Sequence, residues 1–198
     1  TALNCYACHS RAEPGQPGKG GVLPTVALFD EDDEPVLKEP ARDELFTGKQ
    51  KELGDEGRLP PTLTAVGDKL RPGFINEVLL QGGRDRGETL WTLMPKWHQP
   101  TVAALAELLA ADPRTSQPIP PLTGHPEAEV TEQGRHLVGA KALGCIKCHA
   151  FGGEKGQSLG LIDMTRMPRR LRHEWFLAYV EEPQRFRPGT RMPASWPN

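Results

Sequence analysis

The chain has 198 residues and a formal net charge of -2, with 37% hydrophobic residues, a length that suits one large domain or two of about 100 residues each. The near-neutral charge argues neither for nucleic acid nor for a membrane surface as a partner, and no apolar run reaches the roughly 20 residues that a transmembrane helix needs. Pro at 20 and Gly at 21 are each about a tenth of the chain, against usual averages of roughly 5% and 7%, so a loop-rich protein with few long elements is expected. A large, flat, apolar cofactor suits such a chain, because it supplies core that the sequence itself need not provide.

The first motif comes at once: Cys5-Tyr6-Ala7-Cys8-His9. It returns as Cys145-Ile146-Lys147-Cys148-His149, and the two motifs together use all 4 cysteines. A two-residue spacer lets both thiols reach the two vinyl groups of one haem, and the His that follows projects its imidazole at the iron; the spacing is set by the porphyrin. Two other readings compete, an all-thiolate zinc site and a redox dithiol. Neither needs a His directly after the second Cys, and zinc would leave two histidines unexplained. Two covalently attached haem c groups are therefore expected.

Between the motifs, residues 10–59 are Gly/Pro-rich and then acidic (Asp30, Glu31, Asp32, Asp33, Glu34), with only 22–29 strand-like. They read as a long solvated insertion. Asp30, Asp32 and Asp33 could hold a cation, but oxygen-ligand loops need more than an acidic run. A helix is expected over 70–80, where Leu70, Phe74 and Val78 recur at four-residue steps. A Gly-rich loop and the segment Thr92-Leu93-Met94-Pro95-Lys96-Trp97 follow. A second helix, 101–111, starts after Pro100 and stops at Asp112-Pro113. The stretch 113–126 carries five prolines and reads as a semi-rigid linker. A third helix over 129–143 leads into the second motif. The pattern then repeats: Leu171, Trp175 and Tyr179 mark a helix over 171–180, a Pro/Arg-rich loop follows, and Thr190-Arg191-Met192-Pro193 closes the unit.

A haem held by Cys-x-x-Cys-His has one further axial position, and what fills it separates electron transfer from chemistry on a small molecule. A thioether suits it, and Met opposite His raises the reduction potential. Of the four methionines, Met94 and Met192 occupy equivalent places, each after Thr-x and before Pro. A following Pro disfavours helix at the Met, as a strap presenting sulfur requires. The expected iron ligands are His9 with Met94 and His149 with Met192. Their rivals are His98, which would give a bis-histidine first haem, and Met167, which precedes Pro168 but lies opposite Val66 or Gly67 of the first unit.

With these residues in place, each half resembles a small monohaem cytochrome c domain. The first, through Gly54-Asp55-Glu56-Gly57-Arg58-Leu59-Pro60-Pro61-Thr62-Leu63-Thr64, is similar to the cytochrome c domains of planctomycete-type multidomain proteins. The resemblance implies an all-α fold of two tandem cytochrome c-like domains, each wrapped around its haem: 1–113 with an insertion at about 10–59, a linker at 114–126, and 127–198. It implies further that Pro61 and Leu63 lie against the first haem, and Leu159 and Leu161 against the second. A cytochrome c domain also has a helix before its haem motif and another after its Met strap. Here the first domain lacks the former and the second the latter. The expectation is a piece of a longer protein, or units completed by each other or by a neighbouring chain.

The functional expectation is electron transfer through two His/Met haems. The alternatives are a di-haem peroxidase-like enzyme with one open or labile haem, and a relay module attached to a larger redox enzyme. Partners would be redox proteins or attached redox domains. The arginines at 166, 169, 170, 172, 185, 187 and 191 form either a solvated basic face or, in part, partners for haem propionates. With the acidic stretch they make a polar charge distribution that would steer docking. Because haem attachment to this motif occurs outside the bacterial cytoplasmic membrane, a periplasmic or other extracytoplasmic location is implied.

Overall fold

Pro72 opens a ten-residue helix in the first half, at a first-turn position where its missing N–H costs nothing. The computed structural model describes residues 5, 8–9, 26–29, 35–38, 46–49, 55–83, 90–91, 93–111, 117–120, 123–154, 163–187 and 190–196. Among them the fold is helix-rich. It is not wholly helical, because β1 (Val26–Phe29) and β2 (Pro35–Lys38) form an antiparallel ribbon in the insertion, Val26 opposite Lys38 and Phe29 opposite Pro35. Among the described residues no helix is long and apolar enough to cross a membrane.

The chain divides into two compact units, 1–68 with 72–114, and 69–71 with 115–198. In the first, α1 (Asp55–Arg58) and α2 (Val66–Lys69) precede α3 (Pro72–Gln81), and α4 (Gln99–Ala110) follows the Met94 segment. Helix α4 carries Pro100 in its first turn and buries Val102, Ala106 and Leu109, spaced four and three apart on one face. That face packs against α3, which buries Phe74, Ile75 and Leu79. Each such side chain contributes roughly 1.5–3 kcal/mol on burial. Gly67 lets the end of α4 approach α2, since a Cβ there would run into the Leu109 carbonyl.

The second unit begins with α5 (Glu127–Val138), acidic in its first turn and basic in its last, as the helix dipole favours. The helix expected as far as 143 stops at Val138. Gly139 leaves the helical conformation, and the chain closes on itself through Leu143 N–H to the Leu137 carbonyl (3.0 Å). After a 3-10 turn at Met164–Arg166 come α6 (Met167–Arg170), α7 (His173–Glu181) and α8 (Pro183–Phe186). Helix α8 stands where a loop was expected, and Pro183 again serves a first turn. Its Phe186 meets Trp175 edge-on (5.5 Å between centroids), while Trp175 stacks on Tyr179 at 4.7 Å. Lys69–Arg71 belongs to this unit because Arg71 N–H donates to the Arg170 carbonyl and Arg172 N–H to the Lys69 carbonyl, each at 3.0 Å.

The two units repeat one pattern. A shift of 101 residues carries α2 onto α6 and the start of α3 onto that of α7. Phe74 and Trp175, which correspond, are 5% and 6% exposed, and Leu79 and Val180 are buried likewise.

Candidate functional site

The two Cys-x-x-Cys-His segments adopt the same turn. His9 N–H donates to the Cys5 carbonyl and His149 N–H to the Cys145 carbonyl, both at 2.9 Å, and Cys8 and Cys148 repeat the bond one residue earlier at 3.2 and 3.1 Å. In the second motif Gly144, at φ 70°, allows the tight entry into the turn. The cysteines are half-buried thiols. Burial pushes the Cys145 thiol above its ordinary pKa, with the neighbouring Cys148 adding to the effect. Catalytic dithiols usually show the opposite shift.

The histidine of the first turn is held by a defined partner. His9 Nδ1 lies 2.6 Å from the Pro61 carbonyl oxygen. A carbonyl can only accept, so Nδ1 carries a proton; in the neutral ring this is the tautomer that leaves Nε2 for a metal. Pro61 is placed by the turn that begins α2: the Thr62 hydroxyl accepts from Thr64 N–H (3.1 Å) and donates to the Thr64 hydroxyl (2.9 Å). Leu63, in that turn, is half-buried.

At the corresponding place in the second unit stand Asp163 and Thr165. Asp163 accepts from Thr165 N–H (2.9 Å), the Thr165 hydroxyl (2.7 Å), Gly152 N–H (3.1 Å) and Gly153 N–H (3.0 Å). These bonds, those from Thr165 foremost, hold its carboxyl well below the usual carboxylate range. Leu159 and Leu161 lie outside the described residues, as do Asp30, Asp32 and Asp33.

Each Met segment is fastened to the end of a helix, α3 in the first unit and α7 in the second. Trp97 N–H donates to the Leu79 carbonyl (2.9 Å), and Ser195 N–H donates to the matching Val180 carbonyl (2.8 Å). Trp97 and Ser195 each stand three residues after the candidate Met. Met94 and Met192 are both half-buried. The Met94 carbonyl faces Gly83 N–H (3.4 Å), and Met192 N–H donates to the hydroxyl of buried Thr190 (3.3 Å). Of the rivals, His98 is exposed at the boundary of α4, and Met167 opens α6 at the place of buried Val66.

The structure thus brings His9 and Pro61 into direct contact, while Leu63, Met94 and Met192 are each placed by their own segments. Among the described residues no three His, Cys, Asp or Glu side chains gather as a metal-binding cluster. Sequence reasoning missed Asp163, whose only local signal is the Asp-x-Thr spacing of a side-chain-capped turn. Comparison with known protein families, with curated proteins and with solved structures finds no match to this chain.

Proposed function

We propose that each Cys-x-x-Cys-His turn carries one covalently attached haem and that the protein transfers electrons. The observation that carries this reading is the bond from His9 Nδ1–H to the Pro61 carbonyl, 2.6 Å long. It fixes the ring orientation and tautomer, and raises the basicity of Nε2, as the outer partner of a ligating histidine does. The residues present fit a haem: two thiols in a tight turn, an oriented imidazole, and a Met strap in each unit.

When bound, the haem supplies reversible one-electron chemistry at its iron. The chain's own groups do the rest. Cys5 and Cys8, and Cys145 and Cys148, hold the two groups through thioether bonds. His9 and His149 provide the proximal nitrogens. Met94 and Met192 offer thioether sulfurs that raise the potential and leave no position for a substrate. Pro61, Leu63, Leu159 and Leu161 are the apolar contacts proposed around the rings. Arginines of the second unit offer forked donors to carboxylates, on the propionates or on an acidic redox partner. Maturation of such a protein places it in the periplasm or another extracytoplasmic compartment.

The test is a haem count with a visible spectrum. The holoprotein should carry two covalent haems per chain, and the weak far-red band of Met-ligated ferric haem should account for both. No haem would overturn the reading. A band for only one haem, or a high-spin spectrum, would replace the carrier with the peroxidase-like alternative.

A further inference from the structure

The chain leaving His149 folds back on itself and is fastened to the turn before α6. Ala150, directly after it, accepts from Met164 N–H at 2.9 Å. Phe151 and Glu154 then exchange two backbone bonds, 3.0 and 3.1 Å, around a two-residue turn. Its central residues, Gly152 and Gly153, have φ of 63° and 89°, which side-chain-bearing residues rarely adopt. Successive N–H groups in such a turn can converge on an anion. Here the anion is internal: Gly152 donates to Asp163 Oδ1 and Gly153 to Asp163 Oδ2. The same Oδ1 accepts from the backbone and hydroxyl of Thr165. One carboxylate therefore ties the segment after the axial histidine to the turn before α6.

The first unit shows what this register position does. Thr62 corresponds to Asp163, and the residue before it, Pro61, offers its carbonyl to His9 Nδ1 at 2.6 Å. The Thr62 hydroxyl bonds to Thr64, two residues further on. A hydroxyl has at most two acceptor sites, whereas a carboxylate has about four, so Asp163 can hold its own turn and bridge to Gly152 and Gly153 at once.

We propose that Asp163 is a positioning residue for His149. By clamping Gly152 and Gly153 it sets the backbone from which the imidazole reaches the iron, and it tunes the second haem alone. The proposal rests on the reading of Cys145–His149 as a haem site. A structural clamp would affect only stability; a positioning residue also changes the axial signature of one haem.

The experiment uses the full-length holoprotein, with the low-spin signals of the two haems assigned by Met94→His, which moves only the first. In Asp163→Ala the ligand-field signature of the second haem should change, and its reduction equilibrium should shift by up to about tenfold, or about 59 mV. Asp163→Asn keeps Oδ1 but sets an NH2 group against Gly153 N–H, and should give a smaller change of the same kind. Thr165→Val removes only the far-side hydroxyl bond and should lower stability without moving either haem. The proposal is overturned if Asp163→Ala lowers the melting temperature with the second haem's signals unmoved, or if both haems shift equally. Should the Ala variant not be recovered with haem, the Asn variant is judged by the same criteria. A wild-type protein without haem at Cys145 and Cys148 overturns the underlying reading as well, and the haem count tells that failure apart.

Discussion

His9 and Pro61 stand 52 residues apart in sequence, yet the imidazole Nδ1 and the carbonyl oxygen are 2.6 Å apart. Proline fixes φ at about -65°, so the carbonyl direction is set by a stiff residue on one side and by the Thr62–Thr64 turn on the other.

Loosening that residue should be felt at the iron. Pro61→Gly keeps the carbonyl but frees the backbone, weakening the bond and lowering the basicity of the ligating nitrogen. The ferric state loses relative stability, so the midpoint potential of the first haem should rise by a few-fold change in its reduction equilibrium. The second haem should stay where it is. A redox titration resolving both haems checks this, and an unmoved first potential would break the link between Pro61 and the ligand.

The Met assignments separate by substitution. Met94→Ala and Met192→Ala should each remove about half of the far-red band and lower one of the two potentials, because Met opposite His raises it. Met167→Leu and His98→Asn should leave the band intact. Loss of band in Met167→Leu would transfer the second ligand to α6.

Acid stability should carry the mark of Asp163. Its folded pKa is depressed, chiefly by the Thr165 hydrogen bonds, so between the folded value and the unfolded value of about 3.9 the unfolded chain binds the extra proton. The contribution is present in full above about pH 4 and fades as pH falls towards the folded value. Melting temperatures of the wild type should therefore drop more steeply below pH 4 than those of Asp163→Asn. Parallel curves would mean that the carboxylate adds nothing as an anion.

The α3–α4 contact is the place to probe the first unit's core. Leu109→Ala should cost about 2–5 kcal/mol in chemical denaturation, the usual range for a buried leucine. Gly67→Ala should cost more than about 2 kcal/mol, because the new methyl meets a backbone carbonyl that has no side-chain freedom to retreat. A neutral Gly67→Ala would mean that α2 and α4 do not approach as described.

The helices α3 and α7 were legible because their apolar residues recur at four-residue steps, and Phe74 and Trp175, two of those residues, are buried. Helix α8 was not, since four residues reading Pro-Gln-Arg-Phe carry no period and look like loop. The strand at Val26–Phe29 had an apolar signal, but its partner opens on Pro35, which speaks against a strand on sequence alone. Both Cys-x-x-Cys-His motifs and the two Met positions follow from spacing and repetition. The resemblance set Pro61 against the first haem, but its bond to His9 was not legible, because no local pattern encodes a contact over 52 residues. Asp163 was invisible for a related reason: its partners Gly152 and Gly153 lie eleven and ten positions back.

The close seat at Gly67 makes the two repeats non-interchangeable as building parts. The matching position of the second unit is Pro168, which carries a ring where the first has a bare hydrogen. A chimera with the α4 sequence grafted behind Trp196 would find its landing ridge blocked, whatever the quality of its apolar face. Exchange of modules between the halves thus requires Pro168→Gly as a companion change, and shuffled versions without it should leave the grafted helix undocked.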